Sequence, residues 1–212
     1  MHRYARRRVL GTGAGLMSIA ALPACAADLL TTPAQTEGPF YPLDLPLDDD
    51  NDLVQVAGRA ERATGTLLDL GGRVLGADGR PAGGLRVEIW QCDAGGVYHH
   101  PGARRAPADP NFQGFGHTVA GADGTYRFRT IVPVAYPGRT PHIHVKVLGG
   151  DVEALTTQLY VAGNAEQNRR DGLYRSLGRA AELVTVALQP DGDGRRALFD
   201  IVLGPDGVPK SG

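Results

Sequence analysis

His142 and His144 stand two residues apart, Tyr136 precedes them by six, and Tyr98 lies further upstream. On an extended strand, residues i and i+2 leave the same face. Both imidazoles would then point one way, while Ile143, Val145 and Val147 point to the other side as core residues. Imidazole suits zinc, copper, iron or nickel, so the pair alone does not choose a metal. A phenol with an ordinary pKa of about 10 ligates as phenolate only where a strong Lewis acid removes its proton. Ferric iron is hard and highly charged, and is the natural partner for two phenolates and two imidazoles. Such a set would make an iron(III) oxidation site.

The surrounding pattern is that of short strands and tight turns. Arg73-Val-Leu75 runs into the turn signal Ala77-Asp-Gly-Arg-Pro81, and Leu85, Val87 and Ile89 alternate onto one face. Asp123-Gly124 marks a second turn, feeding a strand over 125–131. Strands are expected over 142–148, 156–161, 182–188 and 197–203. One short helix is expected over 165–177, with Asn164 as its N-cap, Gln167 at the capping-box position and Gly178 ending it. Thirty glycines and fifteen prolines between short strands predict an all-β fold, a two-sheet antiparallel β-sandwich with long loops. The loops at 95–96 and 102–121 are long enough to carry function. Residues 27–66 read as an extended N-terminal arm and 67–212 as the sandwich.

Four ordered segments resemble one family. Thr36-Glu-Gly-Pro-Phe-Tyr-Pro42 looks like its N-terminal signature, and Gly84-Leu-Arg-Val-Glu-Ile-Trp-Gln-Cys-Asp-Ala-Gly-Gly-Val-Tyr98 like the strand and loop that deliver a first tyrosinate. Asp109-Pro-Asn-Phe-Gln-Gly-Phe-Gly116 with Asp123-Gly-Thr-Tyr-Arg-Phe-Arg-Thr-Ile-Val-Pro133 is similar to the segment before the second. Tyr136 to His144 supplies the rest, and Thr157-Gln-Leu-Tyr160 resembles the strand that follows. The family is that of the intradiol ring-cleavage dioxygenases, which open catechols between the two hydroxyl-bearing carbons. The resemblance implies Fe(III) held by Tyr98, Tyr136, His142 and His144, with a catechol and O2 as substrates. It implies that Tyr136 gives way to the substrate and acts as a base. Arg139 would steady negative charge on the ring, and Gln158 would hold the ring or the oxygen species. The stretch between Tyr136 and His142 is short, so Arg139 matches either of two family arginines, the substrate-facing one being preferred. His117 stands where an arginine or glutamine is expected.

Tyr126 and Tyr160 read as packing residues, Trp90 as core, and His99 and His100 as solvent-facing or pocket-rim groups. Two other readings compete. The run Gly72–Pro81 with Leu85–Ile89 is common in non-enzymatic transthyretin or carboxypeptidase-regulatory-like binding modules. A zinc or copper site could use His142 and His144 with a carboxylate. A binding module has no need of the two tyrosines, and no carboxylate motif completes the other site.

The first ten residues are basic and precede a run of small residues over 11–24, a signal-peptide layout with Arg6-Arg7-Arg8 in a twin-arginine pattern. Residues 1–26 are therefore expected to direct export, giving a periplasmic or extracellular protein. Leu22-Pro-Ala-Cys25 also reads as a lipobox, under which Cys25 would carry a lipid anchor. Only two cysteines exist, so no disulfide framework is expected, and Cys92 should be a buried, inert thiol. Net charge is −1 with no basic stripe, which argues against a nucleic-acid partner. A self-sufficient homo-oligomer is expected.

Overall fold

The computed structural model describes residues 28–46, 48–103 and 106–205. The leader with Cys25, and the pair Arg104-Arg105 that reads as a solvated loop, lie outside the described residues. Ten strands form two five-stranded sheets. The first is built on β1 (Leu67–Gly76), which pairs antiparallel with β4 (Thr125–Ile131). β1 also runs parallel to β9 (Gly194–Leu198) and then to β10 (Ile201–Leu203), and β8 (Gln189–Asp191) pairs with β9. The second sheet has the order β3 (Phe115–Val119), β2 (Arg86–Trp90), β5 (His142–Gly149), β6 (Val152–Val161), β7 (Thr185–Val186). Its four longer strands are antiparallel, as expected for a sandwich, while β7 joins in parallel. Both sheets are thus mixed, because the last third of the chain returns alongside strands already laid down.

The core lies between the sheets. Leu68, Leu70, Tyr126, Phe128 and Ile201 from the first meet Val87, Ile89, Ile143, Val145, Val147 and Leu159 from the second. Burying each aliphatic side chain of this kind stabilises the fold by about 1.5–3 kcal/mol relative to exposure. The second sheet is buried on its outer face as well. There a smaller cluster of Trp90, Cys92, Tyr98 and Phe115 packs with Phe40, Tyr41 and Tyr136. Cys92 is buried, as expected of an inert thiol, and desolvation pushes it up to about 11.

The N-terminal arm makes that second burial possible. Residues 28–66 contain no strand, yet they are pinned at intervals. The Thr32 amide donates to Val202 O in β10 while its hydroxyl accepts the Val202 amide, and the Gln35 amide donates to Thr156 O along β6. Past Gly38 the arm turns over the outer face, where Glu37 pairs with Lys146 and Tyr41 donates to Glu88 at 2.8 Å. It covers what would otherwise be an open edge and an open face.

The helical region is shorter and more broken than the sequence pattern suggests. α1 (Ala165–Arg170) and α2 (Gly172–Ser176) are interrupted at Asp171, and a 3-10 segment follows over Gly178–Val184. Asn164 does not cap α1, its amide donating instead to the Val161 carbonyl; Asp171 caps α2. The 3-10 segment takes up the start of the strand expected at 182–188, leaving only Thr185–Val186 paired. Among the described residues no helix is long and apolar enough to cross a membrane.

Between β9 and β10, Phe199 and Asp200 lie against a glycine pair in β1. A Cβ on Gly72 would come within 1.9 Å of the Phe199 carbonyl oxygen. Backbone cannot yield as a side-chain tip can, so Gly72→Ala should destabilise the fold by about 3 kcal/mol. Urea unfolding measures this; a change of a few tenths would show that the strand shifts freely.

Candidate metal centre

β5 sets the site. Its register places His142 opposite Tyr160, His144 opposite Gln158 and Lys146 opposite Thr156 in β6, and His144 opposite Trp90 in β2. Alternation then brings the two imidazoles to the outer face, with ring centroids 4.9 Å apart, while Ile143 and Val145 enter the core. Both histidines are almost fully buried.

Tyr136 and Arg139 are placed by a tight turn. Pro137 and Gly138 occupy its centre, Gly138 has φ +84°, and the Arg139 amide donates to Tyr136 O at 2.9 Å. Proline at the first central position with a positive-φ glycine at the second is the type II pattern, which sets the two flanking side chains next to each other. Tyr98 arrives from the loop after β2. Asp93 organises that loop by accepting the Gly95 and Val97 amides on one oxygen and the Asp109 amide on the other.

The four donors converge. Tyr98 Oη lies 3.3 Å from His142 Nε2, and the Tyr98 ring stands edge-on to both Tyr136 and His144. His142 Nδ1 is 2.6 Å from the Thr140 carbonyl. A carbonyl only accepts, so Nδ1 carries the proton and Nε2 presents its lone pair to the site. His144 is held differently, stacked on Trp90 at 4.7 Å with ring planes 10° apart. Both of its ring nitrogens are buried without a hydrogen-bond partner among the described residues. A buried polar group left unpaired costs about 1–3 kcal/mol.

Electrostatics keep the imidazole donors free of protons. Burial, and then the positive field of Arg139, push His142 down to about 4; burial, and then His142 and Arg139, push His144 well below its usual range. Both rings are therefore neutral at physiological pH and free to ligate. Burial, reinforced by Tyr136, raises the Tyr98 phenol far above its ordinary value. Burial raises Tyr136 too, but Arg139 opposes it. Two neutral imidazoles with available lone pairs and two phenols that ionise only beside a strong Lewis acid fit ferric iron. Among the described residues no three His, Cys, Asp or Glu side chains come together, so a purely His-carboxylate centre has no third donor.

Arg139 sits above the phenols. Its Nη1 donates to Tyr136 Oη at 3.4 Å, Nη2 to Gln158 Oε1, and Nε to Asp171 Oδ2 at 3.0 Å. Gln158 is fully buried: its oxygen also accepts from Tyr160, and its amide nitrogen donates to Thr36 O in the arm. It could reach a substrate only by giving up one of these bonds. Tyr160 is fully buried, and Tyr126 donates to Phe199 O within the core. Trp90 is core, as expected, but also supports a candidate ligand. His99 is exposed, and His100 lies at the rim beside Phe40. His117 lies on the edge strand β3, opposite Glu88 and bound to Asp49.

A recess of about 180 Å³ opens beside both phenols, lined by Phe40, Val97, Tyr98, Ala103, Tyr136 and Pro137. A cavity of about 150 Å³ is enough to hold benzene, so the recess fits one aromatic ring. Two contributors escaped the sequence reading. Asp171 was legible as an Asp–Gly–Leu cap signal inside a helical pattern. Phe40 lies within the Thr36–Pro42 motif, where no local pattern marks it as a wall of the site.

A family model described as dioxygenase matches residues 36–205. The chain is 40% identical over 124 residues to the protocatechuate 3,4-dioxygenase beta chain of Burkholderia cepacia, covering 54% of this chain and 53% of that protein. It is 30% identical over 179 residues to catechol 1,2-dioxygenase 1 of Acinetobacter lwoffii, covering 74% and 56%. It thus spans little more than half the length of these two curated relatives. The dioxygenase domain of a dioxygenase carbohydrate-binding fusion from Streptomyces sp. SirexAA-E superposes with a TM-score of 0.66 at 36% identity, covering 82% of this chain and 98% of that one.

Without metal, the protein should lose stability in acid. His142 takes its proton at the ordinary 6.5 when unfolded but only near 4 when folded. Its contribution is whole above pH 6.5 and drains away as pH falls towards 4. Urea unfolding of the metal-free protein should show the midpoint dropping across that window, and a flat midpoint would mean that the imidazole is hydrated.

Proposed function

The chain belongs to the intradiol ring-cleavage dioxygenases, and from that premise we propose that it is a non-haem iron(III) enzyme that opens catechols between the two hydroxylated carbons, consuming O2. The observation that carries this reading is the convergence of Tyr98, Tyr136, His142 and His144 on one buried face, beside a ring-sized recess. A binding module gains nothing from burying two imidazoles and two phenols together.

Bound ferric iron would supply the Lewis acidity that ionises the phenols and the catechol, and the electron-accepting centre that makes the ring reactive towards O2. Tyr98, His142 and His144 would hold it from fixed positions: Tyr98 under the Phe40 ring at 4.5 Å, His142 by Thr140, His144 by Trp90. Tyr136 is the half-buried phenol, on a turn rather than a strand, so it is the donor free to swing aside for substrate. The Tyr136 oxygen would take a catechol proton, and Arg139 would face the incoming substrate oxygen. One well-placed donor of this kind typically contributes about 3 kcal/mol to the transition state.

The twin-arginine-like leader supports export, a route compatible with loading iron before translocation, and the complete donor set in one chain supports a self-sufficient homo-oligomer.

The visible spectrum tests the reading. Iron-loaded protein should be red-brown from tyrosinate-to-iron charge transfer, and the band should shift on anaerobic addition of catechol. A protein that stays colourless after ferric iron is supplied would refute the site. Tyr136→Phe should alter the colour and cut turnover severely, and His142→Ala should fail to retain stoichiometric iron.

A further inference from the structure

Asp171 is almost completely buried at the break between α1 and α2, and its carboxylate meets four N–H donors. Oδ1 accepts the Leu173 amide at 2.9 Å and the Tyr174 amide at 3.2 Å. Oδ2 accepts Arg139 Nε at 3.0 Å and the Thr140 amide at 3.0 Å. Four donors match the roughly four lone-pair sites of a carboxylate. Burial would raise its pKa, but the Thr140 amide and Arg139 outweigh burial and hold it below the usual range.

Helix capping accounts for only half of this. A cap needs one side-chain oxygen, and Asn or Ser supplies it about as well. The second oxygen faces away from α2 and binds two groups of the metal centre: the side chain of Arg139, and the backbone of Thr140, whose carbonyl orients His142.

We propose that Asp171 is a positioning residue for the ring-cleavage reaction, aiming Arg139 by holding its Nε. The proposal rests on the dioxygenase reading for what that aim achieves, though the clamp itself exists without metal. A guanidinium is a rigid planar fork. Fixing Nε therefore fixes Nη1 towards Tyr136 Oη and Nη2 towards Gln158 Oε1. When Tyr136 swings out, the fork stays where the incoming substrate oxygen arrives. With Nε released, the side chain would follow Tyr136 or turn to solvent, and the charge would be lost from the reacting oxygen. The same carboxylate ties the short loop from Tyr136 to His142 onto the helical pair, so donor and cation move as one unit.

Asp171→Asn tests this, because it keeps an oxygen for the Leu173 and Tyr174 amides while removing the charge facing Arg139. In metal-free protein, the Arg139 Nε–H resonance, assigned by its absence in Arg139→Lys, should be sharp and slow to exchange. In Asp171→Asn it should exchange rapidly in protein that is still folded, because Arg139 Nε and the Thr140 amide lose their shared acceptor. In iron-loaded protein, kcat should fall on the order of 10²-fold, as small misplacements of reacting groups typically cause, with catechol Kd changed much less. Combining it with Arg139→Ala should cost no more than Arg139→Ala alone, since both act through one group. An undisturbed Nε–H signal, or losses that multiply in the double variant, would overturn the proposal. Should Asp171→Asn not fold, Arg139→Lys decides it: the charge remains without the fork, and normal turnover would overturn the clamp. Absence of catechol cleavage by the parent protein would instead overturn the dioxygenase reading, leaving the Nε–H signal to decide the clamp.

Discussion

The pairing of β5 between β2 and β6 determines where every candidate ligand can stand. From His142 to Val147, six successive residues are buried, alternately towards the sandwich core and towards the arm. A slip of one residue would exchange the two faces, sending the imidazoles into the apolar core and Ile143, Val145 and Val147 into the site. The apolar set therefore holds the polar set in place: hydrophobic burial between the sheets is what fixes the direction of His142 and His144. Such a register requires both faces to be covered. The arm, with Glu37 on Lys146 and Tyr41 on Glu88, is as much a part of the site as the strand beneath it.

Burying that face carries an electrostatic cost that the surrounding groups only partly offset. His142 has Thr140 and Asp171 has four donors, whereas His144 has no hydrogen-bond partner among the described residues and stacks on Trp90. Stacking fixes a ring without occupying its nitrogens, so it orients a ligand while leaving the lone pair available. Thr140 does the same for His142 by engaging only Nδ1. Arg139 adds a positive charge among groups that must stay neutral or become anionic. This disfavours imidazolium at His142 and favours phenolate at Tyr136. The imidazole lone pairs are thus kept free of protons by position alone.

Much of this was legible in the chain. The two-residue spacing of the histidines, with apolar residues between and after them, is a strand signal that also states which side faces the metal. The Pro-Gly pair after Tyr136 is a turn signal that brings Arg139 back beside the phenol. What periodicity could not show is contact across long separations. Asp171 and Arg139 are 32 residues apart, Tyr41 and Glu88 are 47 apart, and Gln158 reaches Thr36 across 122. Ala165–Leu177 reads as one continuous helix because it is polar with good helix formers, and a capping aspartate inside such a run looks like one more surface charge. Its burial comes only from packing against the turn that carries Arg139. The parallel edge pairings likewise follow from where the final strands return, which no local pattern states.

Gln158 shows how a residue can be placed correctly and still change role. From sequence it is a polar side chain on the site face of β6, within reach of a substrate. In the fold its oxygen receives Arg139 and Tyr160 and its nitrogen holds the arm. An amide with these three bonds stiffens the site, linking the cation, the strand beside the histidines and the segment that bears Phe40. Phe40 in turn stacks on Tyr98 and walls the recess. The size of the recess and the aim of the arginine are therefore set by one buried hydrogen-bond network. A substitution anywhere along it should alter ring selectivity and turnover together rather than one alone.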